Sequence, residues 1–199
     1  CFAGEPFSYD GKRYQFNDVV IRPGYVQEGG PPLWIATMSE AGAERVARHD
    51  AHILPQGLRV RAFDPWVKAL HASGRSPDRY RKGIIRSVLV TDDLERDWRR
   101  VRTAERYRMQ LYRRFFEESN EGFGEDGEPI PQTWIVGDVS DCVDQLEAFV
   151  RAFGITDLVT MAVPPGLPVD ALNHSHEQLF KVVVPQLKAR LNASTTISG

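Results

Sequence analysis

Apolar positions recur along this chain with two different periods, and the period changes near residue 33. Phe7 and Tyr9, then Tyr14 and Phe16, sit at every second position around the turn residues Asp10-Gly11. That alternation predicts a β-hairpin over residues 6–20. Arg22-Pro23-Gly24 through Pro31-Pro32 is a turn-rich connection. From there short apolar runs are separated by stretches of helical period, the pattern of parallel strands joined by helices.

Four runs read as buried strands: Leu33–Thr37, Ala51–Leu54, Ile84–Val90 and Leu158–Val163. The helix after the first places Ala43, Val46 and Ala47 on one face. The second strand ends at Pro55-Gln56-Gly57, and a helix follows around Pro65–Ala72 with Trp66, Ala69 and Leu70 as its apolar positions. After the third strand, Thr91-Asp92 offers a cap for a long helical stretch over 93–118. Its apolar stripe is broken, which predicts two helices with a bend. Residues 120–131 read as a loop. Ser140 is the expected cap of the next helix, whose Val143, Leu146, Phe149, Val150 and Phe153 keep helical spacing up to Gly154. A last helix starts near Asp170, and Pro185, which has no N–H, should kink or restart it.

Four parallel strands with covering helices make an open sheet or half of a (βα)8 barrel. A complete barrel needs ~250 residues, and this chain has 199. The expectation is an α/β fold in a single partial domain over 1–199, with 1–32 as hairpin and connection and 33–199 as strands with their helices. The chain opens at Cys1-Phe2 without Met, which suggests a fragment.

Composition narrows the function classes. A hydrophobic share of 42% and a charged share of 26% suit a globular protein. No apolar run approaches the ~18 residues of a membrane span, and no signal-like segment is visible, so a cytoplasmic protein is expected. The net charge of -2 gives no general attraction to nucleic acid or anionic lipid. Arg96, Arg99, Arg100, Arg102, Arg106, Arg108, Arg113 and Arg114 are interleaved with Glu95, Asp97, Glu105, Glu117 and Glu118, which reads as a solvated helix face with i, i+4 pairs. Cys1 and Cys142 have no metal-ligand spacing, and the five histidines assemble into no site. No metal is expected. Dinucleotide fingerprint, P-loop and nucleophile elbow are all missing.

Several phrases carry a family resemblance. They are Pro32-Leu33-Trp34-Ile35-Ala36-Thr37-Met38-Ser39 before an Ala-rich helix; Val136-Gly137-Asp138-Val139-Ser140 before the helix to Gly154-Ile155; and Pro164-Pro165-Gly166-Leu167-Pro168 with Glu177-Gln178-Leu179-Phe180 and Val184-Pro185-Gln186-Leu187. With the Phe7–Gly11 hairpin in front, this order resembles the C-terminal half of bacterial luciferase-like, flavin-dependent monooxygenases over about residues 5–191. The resemblance implies strands five to eight of a TIM-type barrel. It also implies reduced FMN as cofactor and oxygenation of a small organic substrate, with deazaflavin-dependent hydride transfer as the alternative. A flavin reductase and a second copy of the chain are the partners it allows. The remaining reading is a non-catalytic, flavin-binding half barrel. Catalytic residues stay unassigned, because much of the active site would belong to strands one to four, and the chain alone would be inactive and prone to associate.

Ala36, Thr37, Met38 and Ser39 are the candidate cofactor residues. They stand where a strand gives way to a helix, so loop amides and the helix dipole converge on one spot that suits a phosphate. The plainer alternative is that Ser39 is only a helix cap. Relatives often place Gly or Ser where Met38 stands. Gln56 and Gly57, ending the next strand, are candidates for the substrate side, a turn being the alternative. Arg86 lies inside an apolar strand, where a charge is costly unless paired, and an ion pair is expected for it. Met161 departs from relatives that carry Arg near this point.

Overall fold

The computed structural model describes residues 4–55, 59–115, 129–161 and 164–195. The hairpin forms as β1 (Phe7–Asp10) and β2 (Gln15–Val19), antiparallel, with Tyr9 opposite Phe16 and an irregularity between Phe7 and Tyr9. All other described strands are parallel. β3 (Trp34–Thr37) pairs with β4 (His52–Pro55), and β5 (Gly83–Val90) pairs with both β6 (Trp134–Gly137) and β7 (Asp157–Met161).

A single bridge, Ile53 to Lys82, links the two parallel groups. The Ile53 N–H donates to the Arg81 carbonyl at 3.2 Å, while the Thr156 N–H donates to the next carbonyl, that of Lys82, at 3.0 Å. Successive carbonyls of a strand point to opposite edges, so β4 and β7 flank β5. Among the described residues the β3–β4 pair and the β6–β5–β7 sheet are separate ladders joined by this bridge. β6 is an addition. It lies against the upper half of β5 on the edge opposite β7, where Ser87 faces Trp134 and Val90 faces Gly137. The expected count of four parallel strands is corrected to five among the described residues.

Among the described residues six α-helices accompany the strands: α1 (Glu40–Arg48), α2 (Phe63–Ala72), α3 (Leu94–Phe115), α4 (Val139–Phe153), α5 (Val169–Gln178) and α6 (Val184–Thr195). α1 and α2 bury Ala43, Val46, Ala47, Phe63, Trp66 and Leu70 against Ile53 and Ile84. α4 and α6 cover Val88, Val90 and Ile135 with Val143, Leu146 and Leu187. On the other face of β5 and β6, Trp98 and Val101 of α3 pack on Leu89, Trp134 and Val136. The β5–β6 region is thus covered on both faces. Toward β3, β4 and β7 the second face is open: Ala36 and Val159 are exposed, and Trp34, Leu54 and Ile85 are half-buried.

Two further expectations change. α3 runs unbroken from Leu94 to Phe115. The cap of α4 is Asp138, not Ser140: its carboxylate accepts from the Asp141 N–H at 2.9 Å, and Asp141 accepts in return from the Asp138 N–H at 3.3 Å. At Pro185 the expected restart is seen one residue earlier: α5 ends at Gln178 and α6 begins at Val184. A π-helical turn, Leu179–Val183, precedes it, with the Val184 N–H bonded to the Leu179 carbonyl. In an α-helix the Pro185 ring would strike the Lys181 carbonyl; the wider turn moves that carbonyl aside.

Candidate functional site

Strand β3 ends at Thr37, and α1 begins three residues later. Thr37 is buried and braces the turn: its hydroxyl donates to the Ser39 carbonyl at 3.1 Å and accepts from the Ser39 N–H at 3.3 Å. Ser39 is the N-cap of α1, accepting from the Gly42 N–H at 3.1 Å. Gly42 packs so closely on this brace that a Cβ there would stand 2.0 Å from Thr37 Oγ1. Of the four expected residues, Ala36 and Met38 are exposed, Thr37 has spent its O–H on the turn, and Ser39 keeps its O–H. A serine hydroxyl has one donor and two acceptor sites, so capping leaves that donor available.

These residues line a hollow of about 310 Å³ together with Ile35, Gly42 and Arg45. Arg45 was not foreseen. It lies in the second turn of α1 with Ala41 and Gly42 before it and Arg48 and His49 after it at i±3 and i±4. No carboxylate stands at helix-pair spacing, and among the described residues Arg45 has no ion pair. The amides of Glu40 and Ala41 also lack acceptors within the helix, as first-turn N–H groups do.

The donor set therefore comprises one serine O–H, two helix N-terminal amides and one uncommitted guanidinium, with the helix dipole aligned behind them. That chemistry fits a phosphate monoester. A larger hollow of about 650 Å³ between α1 and α2 has Glu40, Glu44 and Asp64 in its wall, against Lys68 alone. Its carboxylates would repel an anion. Gln56 and Gly57 lie outside the described residues.

The other sequence candidates resolve as follows. Arg86 is buried but makes no ion pair among the described residues, contrary to expectation; its guanidinium lies 4.2 Å from the Phe149 ring centroid. The arginines of α3 do pair along the helix, Arg99 with Glu95 at 2.6 Å and Arg108 with Glu105. His52 accepts the Arg81 N–H on Nδ1 at 3.2 Å, and burial, then Arg81, holds it below the usual histidine range. His174 Nε2 meets Asp92 at 3.1 Å. Among the described residues no group of three His, Cys, Asp or Glu side chains could hold a metal. No helix among the described residues is long and apolar enough to cross a membrane. Met161 lies in β7, opposite Ser87.

Parallel strands joined by helices define the class: an α/β protein. The family described as luciferase-like monooxygenase matches residues 1–157, and the chain belongs to that family. Curated protein sequences give no match. Among solved structures, monooxygenase RslO1 from Streptomyces bottropensis superposes with a TM-score of 0.70 at 16% identity, over 93% of this chain and 57% of that one. The oxygenating constituent of 3,6-diketocamphane monooxygenase of Pseudomonas putida, in complex with FMN, gives 0.65 at 17% over 92% and 59%. The coenzyme F420 dependent tetrahydromethanopterin reductase of Methanopyrus kandleri gives 0.67 at 16% over 94% and 59%. The chain thus spans less than two thirds of these proteins' lengths, and at such identities the likeness is one of fold.

Proposed function

We propose that this chain provides the phosphate-binding wall of a flavin-dependent monooxygenase, with FMN phosphate held at the amino end of α1. The observation that carries this reading is the hollow that Ser39, the start of α1 and Arg45 line together, Arg45 having no ion pair among the described residues. Bound FMN would supply the redox chemistry with oxygen. The chain's own part is binding and orientation: Arg45 and Ser39 take the phosphate charge, Thr37 and Gly42 hold the turn rigid, and the open face of β3 and β4 lies beside the ligand. Gln56 and Gly57, which follow β4 in the chain, are proposed for the substrate side, with a small organic molecule as substrate. In this reading β3, β4, β5 and β7 are one wall of a (βα)8 barrel, strands five to eight, in a cytoplasmic enzyme.

Deazaflavin-dependent hydride transfer is the second reading, favoured by the F420 enzyme among the fold neighbours. Fluorescence-quenching titration with FMN and with F420, for the chain and for Ser39→Asp, tests both. A carboxylate beside the phosphate should weaken binding of the true cofactor at least tenfold, because charges repel strongly in a site of reduced dielectric. Unchanged affinity in the variant places the phosphate elsewhere. The cofactor that binds the chain and loses affinity in the variant separates the readings.

A further inference from the structure

Ile84, Arg86, Val88 and Val90 share one face of β5. Ile84 belongs to the core under α1 and α2, and Val88 and Val90 to the core under α4 and α6, so Arg86 sits at the seam between the two. It is 7% exposed, and its Nε and Nη1 are buried without a hydrogen-bond partner. The Phe149 ring at 4.2 Å covers the flat side of the guanidinium. A ring face attracts the charge but accepts none of the in-plane N–H bonds.

Directly across the β5–β7 ladder Arg86 faces Thr160, whose Oγ1 is likewise buried and unpartnered. Neighbouring strands run about 4.8 Å apart, so the two side chains leave the sheet next to each other. Partly buried Leu158 and Val150 pack in the same region, and neither side chain has a polar group to offer. Burial lowers the Arg86 pKa, as for a cation held without compensation.

We propose that Arg86 and Thr160 form an anion site between β5, β7 and α4 that takes a small monovalent anion of halide size. Such an ion accepts the Nε–H of Arg86 and the Thr160 O–H together, the Nη1–H groups leaving the guanidinium on another edge, and it neutralises a charge whose burial alone is costly. A water molecule would satisfy the donors and leave the charge. Nothing in the flavin reading requires this site, since it lies on the helix-covered face of the sheet.

Chloride is the probe. The urea midpoint of the full chain is measured in sodium gluconate and in sodium chloride at equal sodium concentration and ionic strength. An ion that binds only the folded state multiplies the folding constant by 1 + [L]/Kd, about elevenfold at ten times Kd. The expected result is a midpoint that rises with chloride and bromide in the wild type, rises less in Thr160→Val, and does not respond in Arg86→Met. A wild-type midpoint indifferent to halide overturns the proposal and leaves water as the partner; so does an equal halide response in Thr160→Val, which stays informative should Arg86→Met fail to fold. Bromide-soaked crystals supply the position: anomalous density between Arg86 and Thr160 is expected, and its absence there at high bromide contradicts the site.

Discussion

Arg45 owes its availability to its neighbours, because Ala41, Gly42, Arg48 and His49 give it nothing to pair with along α1. That signal was present in the sequence as an arginine without a helix partner, but only the turn of β3 into α1 brings it beside Ser39. Gly42 has the opposite character, being close-packed instead of free. Gly42→Ala would drive a methyl into the braced Thr37 hydroxyl, an overpacking that costs about 2 kcal/mol. It should lower the urea midpoint and weaken FMN binding together. Cys142 is buried, with Sγ 3.7 Å from the Leu89 carbonyl, and burial, then Asp141 and Asp138, pushes its thiol up to about 12. In a Cys1→Ser background it should resist alkylation at pH 8 in native buffer and react promptly in urea; fast native labelling would contradict the packing. Asp97 is buried beneath the start of α3, bonded to Arg96 at 2.8 Å and to the Thr91 hydroxyl at 2.7 Å. The Arg96 hydrogen bond, then that of Thr91, holds its carboxyl below the usual range. A carboxylate with a depressed folded pKa gives stability that is complete above its unfolded value and is lost as pH falls through the folded one. Asp97→Asn should therefore flatten the acid limb of the stability–pH curve between those two values.

At the scale of elements, the long periodic segments were legible and the short or buried ones were not. α1, α2 and α4 follow their apolar spacing: Ala43, Val46, Ala47, Trp66, Leu70, Val143 and Leu146 are buried, Ala69, Phe149 and Val150 are half-buried, and Phe153 at the end of α4 is exposed. β6 was missed because Trp134-Ile135-Val136-Gly137 is a four-residue run buried throughout, with no alternation to separate strand from helix approach. The cap of α4 was misplaced by two residues for a related reason: Asp138 and Ser140 are both good cap residues, and only the reciprocal Asp138–Asp141 bonds decide. Asp138→Ala should cost about 1 kcal/mol, the usual loss for an N-cap, read as a lower urea midpoint; Ser140→Ala should leave the midpoint nearly unchanged. The broken stripe of α3 suggested a bend because Arg and Glu interrupt it. In the fold Arg99 pairs with Glu95 and Arg108 with Glu105 along the helix, and Arg102 lies over Trp98 at 5.7 Å, so a continuous helix accommodates them. The turn before Pro185 could not be read from spacing, since a π turn inserts one residue without changing composition.

For the whole molecule, the alternation of parallel strands with helices was readable from the apolar runs, whereas the coverage of the sheets was not. Alternation marks two faces of a strand but does not say which neighbour covers each. The open face around Trp34, Ala36, Leu54, Ile85 and Val159 makes association the expected behaviour of this chain in isolation. Removing apolar area from water yields roughly 25 cal/mol per Å², so a few hundred Å² suffices to drive pairing. Sedimentation velocity should show a species that grows with concentration, a homo-oligomer in the proposed account. Val159→Lys, which places a charge on that face, should shift the distribution toward monomer. The central claim, that the amino end of α1 takes a flavin phosphate through Arg45, is tested most directly by comparing two ligands that differ only in that phosphate. FMN and riboflavin are titrated against the chain and against Arg45→Gln by fluorescence quenching. A charge-assisted contact of about 1.5–3 kcal/mol corresponds to roughly 10- to 100-fold tighter binding of FMN, and this preference should collapse in Arg45→Gln while riboflavin affinity stays the same. Equal affinity of the wild-type chain for the two ligands, or an FMN preference that survives in the variant, would contradict the account.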